Sequence, residues 1–186
     1  MDIFRLFPKR VNHERKYLEP GQTTKELTSQ VSTVLTDLGW LLTTAESCTG
    51  GNVASALCAE KDTASFFGTG VVTFNNEAKH KVLGVSHATL EKYTAVSSQT
   101  VAEMAEGALK LADADISIAI TGYAGPDGGD DGTPAGTVWF GWCFRGEVTT
   151  AVQHFTGECE DVIEKAVRYA LSELLRQIPH WKKQLH

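Results

Sequence analysis

Thr43-Thr44-Ala45-Glu46-Ser47-Cys48-Thr49-Gly50-Gly51 follows the apolar run Trp40-Leu41-Leu42 and precedes Val53, Ala54, Leu57 and Cys58, which recur at helical spacing. A strand is expected over residues 40–44 and a helix after Gly51, with a tight corner between them. Backbone N–H groups of a first helical turn lack intrahelical acceptors and carry the positive end of the helix dipole. Such a corner stabilises an anion or a developing oxyanion. Ser47 stands there as a candidate nucleophile, and Gly50 and Gly51 let a ligand approach the backbone closely. A plainer reading competes with this one, because Ser and Thr also cap ordinary helix starts.

On the N-terminal side, Thr23-x-x-Glu26 has the form of a capping box. Leu27, Val31, Val34, Leu35 and Leu38 make one apolar helical stripe, and Gly39 supplies a left-handed stop. Residues 1–22 carry Lys9, Arg10, Arg15 and Lys16 with Pro8, Pro20 and Gly21, and read as an appended arm. Its apolar residues Ile3, Phe4, Leu6 and Phe7 suit packing on a neighbouring subunit, so a homo-oligomer is expected.

On the C-terminal side, residues 64–68 read as a turn of core aromatics and residues 70–74 as a strand. Asn75 then caps a helix carrying Ala78, Lys79, Val82 and Leu83, with Gly84 as its stop, and Ser97 caps another with Val101, Met104, Ala105, Ala108, Leu109 and Ala112 inward. Residues 116–121 have the apolar run of a buried strand. Residues 122–136 are too rich in Gly, Pro and Asp for regular structure, and a loop of that length is usually functional or disordered. Residues 137–144 and 148–155 form a hairpin about Arg145-Gly146-Glu147, and a last amphipathic helix from about Val162 ends before Pro179. The alternation predicts an α/β domain over residues 23–178, a mixed sheet of about five strands with helices on both faces, followed by a tail, 179–186.

The 186 residues suffice for one domain with a substantial core. Hydrophobic residues make up 42% and charged ones 22%, and the net charge of -6 argues against broad binding to nucleic acid or anionic membrane. Cys48, Cys58, Cys143 and Cys159 form no C-x-x-C pair and no metal-ligand spacing with the six histidines. No cofactor and no metal is therefore expected. With no apolar run long enough to span a bilayer and no signal-peptide core at the start, a soluble cytoplasmic protein is expected.

In open α/β sheets ligands gather at the carboxyl ends of the strands, and three such ends are chemically loaded: residues 46–51, 74–79 and 121–136. If they converge, Ser47 and Lys79 can pair as nucleophile and base, since a desolvated lysine loses its proton more readily and can accept one from serine. Otherwise Lys79 is a solvated helix lysine and Ser47 a cap. The corner lacks the G-x-x-x-x-G-K-[ST] order of a phosphate loop, and the chain has no G-x-S-x-G elbow or H-E-x-x-H helix. Asp127, Asp130 and Asp131 have ligand chemistry for magnesium, but turn chemistry explains them more simply.

Three segments together carry a family resemblance. Residues 45–51 (Ala-Glu-Ser-Cys-Thr-Gly-Gly), 72–79 (Val-Thr-Phe-Asn-Asn-Glu-Ala-Lys) and 121–129, with Pro134-Ala135-Gly136-Thr137-Val138, resemble the CinA C-terminal domain family, which includes nicotinamide mononucleotide (NMN) amidohydrolases. The resemblance implies a three-layer α/β/α sandwich and, for active members, hydrolysis of the NMN carboxamide to nicotinate mononucleotide and ammonia. It makes Ser47 the nucleophile and Lys79 its base, with a small-molecule nucleotide as substrate. It further implies substrate contacts among Glu46, Cys48, Thr49, Gly50, Gly51, Phe74, Thr121, Gly122 and Gly125. Two departures stand out: active members carry Tyr where this chain has Phe74, and Arg in a Gly-Asp-Arg context where this chain has Cys159 between Glu158 and Glu160. Loss of a transition-state hydrogen bond at one and of a cation at the other would both weaken turnover of an anionic nucleotide. A paralogue that keeps the fold but binds a nucleotide-like ligand, or serves assembly, is the alternative.

Overall fold

The computed structural model describes residues 22–185, so the expected N-terminal arm lies outside the described residues except for Gln22. The elements in order are α1 (Thr24–Leu38), β1 (Leu42–Glu46), α2 (Asn52–Cys58), a 3-10 turn (Thr63–Ser65), β2 (Phe67–Val72), α3 (Asn76–Leu83), α4 (His87–Tyr93), α5 (Ser98–Ala112), β3 (Ile116–Gly122), β4 (Thr137–Phe144), β5 (Glu147–His154) and α6 (Cys159–Lys183). Five strands make one sheet in the order β2-β1-β3-β4-β5. β1 runs parallel to β2 and β3, while β4 and β5 close the far edge as an antiparallel hairpin. This is the expected mixed sheet.

Alternation along the strands divides the core in two. Ile116, Ile118 and Ile120 of β3 and Val138, Phe140, Trp142 and Phe144 of β4 face α1, α2 and α6, together with Leu27, Val31, Leu171 and Leu174. Small residues face the other way: Ala45, Ala119 and Cys143 pack with Val101, Met104 and Ala105 of α5. Bulk on one face and small side chains on the other let α5 lie close to the sheet. A Cβ at Gly141 would sit 2.9 Å from the Val101 carbonyl oxygen. The result is three layers, α/β/α.

Helix boundaries follow their caps. Thr23 and Glu26 form the reciprocal capping box, and Gly39 closes α1 at φ 65°. Asn75 and Ser97 cap α3 and α5, and Gly84 ends α3 in the left-handed region. Arg145 and Gly146, at φ 50° and 98°, give the hairpin the primed twist that matches its strands.

Strand boundaries depart from expectation, because pairing sets them. The Trp40 N–H still closes α1 by donating to the Leu35 carbonyl, so β1 starts at Leu42 and runs to Glu46. β2 begins at Phe67, three residues before the β-prone run, because the Leu42 N–H reaches the Phe66 carbonyl at 2.7 Å. It stops at Val72, as the carbonyls of Thr73 and Phe74 turn to Lys79. The short helix α4, capped by Ser86, was not anticipated. Nor does the last helix end before Pro179: α6 passes through it to Lys183, with Ile178 and Trp181 buried on either side of the exposed proline.

Candidate active site

The strand ends converge. Ser47 follows the last residue of β1 directly, and Lys79 lies in the first turn of α3, which Asn75 starts by accepting the Ala78 N–H at 2.8 Å. Lys79 Nζ is 3.0 Å from Ser47 Oγ, 2.9 Å from the Thr73 carbonyl and 3.1 Å from the Phe74 carbonyl. Both side chains are buried, Lys79 at 1% exposure and Ser47 at 6%, so this is neither a solvated lysine nor a surface cap.

Burial lowers the Lys79 pKa to about 8, because taking the ammonium out of water penalises its charged form. The cradle nonetheless suits the cation, since three ammonium protons meet three oxygen acceptors. Ser47 then directs its own proton toward the Phe74 carbonyl, 3.5 Å away. When Lys79 gives up a proton, its lone pair can receive the serine hydroxyl instead, which is the arrangement a general base requires. The neighbouring Cys48 thiol is pushed up to about 12 by burial and stays protonated. It therefore does not compete with Ser47 as a nucleophile.

Glu46 sits elsewhere than a substrate contact. Its buried carboxylate accepts from the Val53 and Ala54 amides, each at 2.9 Å, and from the Thr49 hydroxyl at 2.7 Å. The start of α2 is thus already occupied by an anion from its own chain. Gly50 and Gly51, at φ 57° and 92°, carry the turn that makes this possible. The Gly50 amide returns to the Ser47 carbonyl. Among the described residues, the amides of Cys48 and Thr49 make no hydrogen bond to another residue, and they are the donors nearest in sequence to Ser47 that a developing oxyanion can use.

The remaining candidates line the rim. Thr121, buried at the end of β3, donates its hydroxyl to the Ala95 carbonyl at 2.7 Å and so ties down the segment between α4 and α5. Gly122 is required by close approach, since a Cβ there would be 2.6 Å from the Thr137 carbonyl oxygen. Gly125 takes φ 115° within the expected long loop. The Phe74 ring is 75% exposed beside the dyad, and Val72 next to it is also exposed, giving the rim an apolar edge without a hydroxyl. Cys159 opens α6 and lies near enough to Cys48 to act on it electrostatically. The Asp131 carboxylate accepts the Thr133 N–H in turn chemistry, and the described residues include no cluster of three or more His, Cys, Asp or Glu suited to a metal.

Thr94 carries a signal that the sequence did not. It has φ 67° and ψ 175°, a region that is essentially glycine's own. Its carbonyl accepts from Thr100 and Ser97, and the Ala95 carbonyl next to it from Thr121. These bonds hold the strained backbone in place and tie it to the end of β3 through Thr121.

Known proteins place the chain in a family. The chain is 59% identical to Protein YdeJ of Escherichia coli (strain K12) over 154 residues, 83% of this chain and 90% of that one. It is 46% identical to the nicotinamide-nucleotide amidohydrolase PncC of Enterobacter agglomerans over 153 residues, 82% of this chain and 93% of that one. The crystal structure of competence damage-inducible protein A (ComA) from Klebsiella pneumoniae subsp. pneumoniae MGH 78578 superposes with a TM-score of 0.85 at 59% identity, covering 86% of this chain and 99% of that one. Residues 24–178 match the family model of the CinA C-terminal domain, and the chain belongs to that family.

Proposed function

We propose that this protein is a nicotinamide-nucleotide amidohydrolase of the cytoplasm, which hydrolyses the carboxamide of NMN to nicotinate mononucleotide and ammonia. The observation that carries the reading is the buried contact of 3.0 Å between Lys79 Nζ and Ser47 Oγ. Similarity to PncC, a nicotinamide-nucleotide amidohydrolase at 46% identity, supplies the substrate class. Ser47 attacks the carboxamide carbon while neutral Lys79 takes its proton, the Cys48 and Thr49 amides receive the oxyanion, and the C–N bond breaks to release ammonia. Water then hydrolyses the acyl ester on Ser47.

A second reading is favoured by one specific feature. At the start of α6, where the resemblance led us to expect an arginine, Cys159 is flanked by Glu158 and Glu160, and the Glu158 N–H donates to Asp161 at 3.0 Å. A carboxylate at that helix end disfavours a phosphate beside it, which suits a paralogue that binds a ligand other than NMN. Ammonia release from NMN by the parent, Ser47→Ala and Phe74→Tyr proteins separates the two. Release that disappears in Ser47→Ala establishes the amidohydrolase. Release only after Phe74→Tyr locates a lost activity at that ring, and correctly folded protein silent in all three forms rejects NMN as substrate.

A further inference from the structure

We propose that Glu46 is a positioning residue for the reaction, its carboxylate holding the turn from Ser47 to Gly51 so that the Cys48 and Thr49 amides face the oxyanion. The inference rests on the amide-hydrolysing reading of Ser47 and Lys79 given above.

Four helices of this chain are started by neutral side chains. Thr23, Asn75, Ser86 and Ser97 each accept a backbone N–H at the head of α1, α3, α4 and α5. At α2 the cap position is Gly51, which offers no side chain. The acceptor comes instead from the last residue of β1, Glu46, at 0% exposure. One carboxylate oxygen takes the Thr49 hydroxyl at 2.7 Å and the Val53 N–H at 2.9 Å, and the other takes the Ala54 N–H at 2.9 Å. Among the described residues no salt bridge reaches this carboxylate. Burying an ionised group without a counter-ion is costly unless its oxygens are bonded, and here three donors converge on it. A carboxylate meets all three. Glutamine has one acceptor oxygen, and its NH₂ group would be turned toward a backbone N–H.

The residues joined by these bonds enclose the reacting corner. The Ser47 N–H donates to the Ile120 carbonyl at 3.0 Å, and the Ser47 carbonyl accepts the Gly50 N–H at 3.0 Å. The Thr49 carbonyl accepts the Asn52 N–H at 3.0 Å and the Asn52 side-chain amide at 2.6 Å. Among the described residues, the Cys48 and Thr49 N–H groups are left without an acceptor in another residue. Glu46 grips this turn at two points: the Thr49 hydroxyl belongs to one of the two residues that carry the free donors, and the Val53 and Ala54 amides fix the far end. Oxyanion donors lower a barrier only when they are held in place before reaction, and a displacement of about 1 Å can cost about a hundredfold in rate. The Glu46 side chain therefore acts through the backbone and makes no contact with substrate.

The test separates positioning from binding and from loss of fold. Values of kcat and KM at 25 °C with NMN and with p-nitrophenyl acetate, together with melting temperatures, are measured for the parent, Ser47→Ala, Glu46→Gln, Thr49→Val, Thr49→Ser and the double variant of Glu46→Gln with Thr49→Val. Both substrates pass through an oxyanion, so both should respond. We expect Glu46→Gln to lose about a hundredfold in kcat with KM held within about threefold, and Thr49→Val to lose about tenfold in kcat. Thr49→Ser should recover most of the Thr49→Val loss, since its hydroxyl still reaches the carboxylate. The double variant should be at most about twofold slower than Glu46→Gln, because the two side chains form one link. Three results overturn the positioning role and leave the NMN reading intact: a folded Glu46→Gln protein with kcat within about threefold of the parent, a rise in KM at unchanged kcat, or a double variant slowed by the product of the single losses. The expected pattern on the ester, with no cleavage of NMN, upholds the role and rejects NMN. A parent that cleaves neither substrate through Ser47 overturns both. If Glu46→Gln does not fold, Thr49→Val and Thr49→Ser decide, and an undiminished kcat in Thr49→Val overturns the role.

Discussion

Lys79 joins burial, charge and reactivity in one side chain, and its titration is the most direct handle on the site. Because the base is the neutral amine and burial places its pKa at about 8, kcat/KM for ammonia release should climb about tenfold per pH unit below that value and level off above it. A profile flat from pH 6 to 9 would remove Lys79 from the role of base. Stability should follow the same titration with a definite sign. Between about 8 and the ordinary lysine value of 10.5, the folded state binds fewer protons at this position than the unfolded chain, so stability rises with pH across that window. Below it both states are protonated and the slope vanishes. Chemical denaturation of Lys79→Met beside the parent checks this, since groups shared by both proteins cancel in the difference and the stability of the parent relative to the variant should grow from pH 8 to 10. Ser47 and Lys79 were legible in the sequence as a corner serine and a first-turn lysine, but their contact was not, because it depends on where β2 ends.

At the scale of elements, the segment joining α4 to α5 stores strain that its neighbours hold in place. Thr94 is β-branched, and φ 67° with ψ 175° brings its Cβ into conflict with the backbone at a cost of about 1–3 kcal/mol. Glycine relieves that conflict but makes the unfolded chain more flexible and removes the 3.4 Å bond from the Val96 N–H to the Thr94 hydroxyl. Thr94→Gly should therefore raise stability by about 1 kcal/mol, or about 2–4 °C in Tm for a domain of this size. A fall in Tm, measured by calorimetry, would mean that the threonine side chain matters more than its backbone. The caps of α1, α3 and α5 were readable because capping is local, a residue answering to others three or four positions away. β1 starts two residues late because the Trp40 N–H still closes α1, and β2 starts three residues early because the Leu42 N–H bonds to the Phe66 carbonyl, a non-local choice that propensity does not report. The loop of residues 122–136 was legible from composition, yet its neighbour at Thr94 was not, since nothing in a threonine announces a positive φ.

Across the whole molecule the two ends of the sheet do different work. The carboxyl ends of β1, β2 and β3 carry the dyad, while the opposite end is closed by an aromatic column. The rings of Trp40 and Phe144 lie 4.9 Å apart between centroids, and those of Phe144 and Trp181 5.1 Å apart at an interplanar angle of 13°. Phe144 pairs with Ile116, the first residue of β3, so the column lies a strand's length, on the order of 15–20 Å, from Ser47. Pro179 marked a helix end in the sequence because it removes one backbone hydrogen bond. Burial of Ile178 and of Trp181, at 3% exposure, outweighs that loss and carries α6 on to Lys183. Truncating a buried tryptophan removes both transfer energy and packing, so Trp181→Ala should destabilise the protein by about 3–5 kcal/mol. Against a total stability on the order of 5–15 kcal/mol, that loss lowers the melting temperature strongly. The rate with substrate at 25 °C should stay within about twofold of the parent, since the column touches no residue of the site and distant sites act nearly independently. A large fall in rate at 25 °C from a folded Trp181→Ala protein would instead show that α6 couples the two ends, through Cys159 at its start beside Cys48.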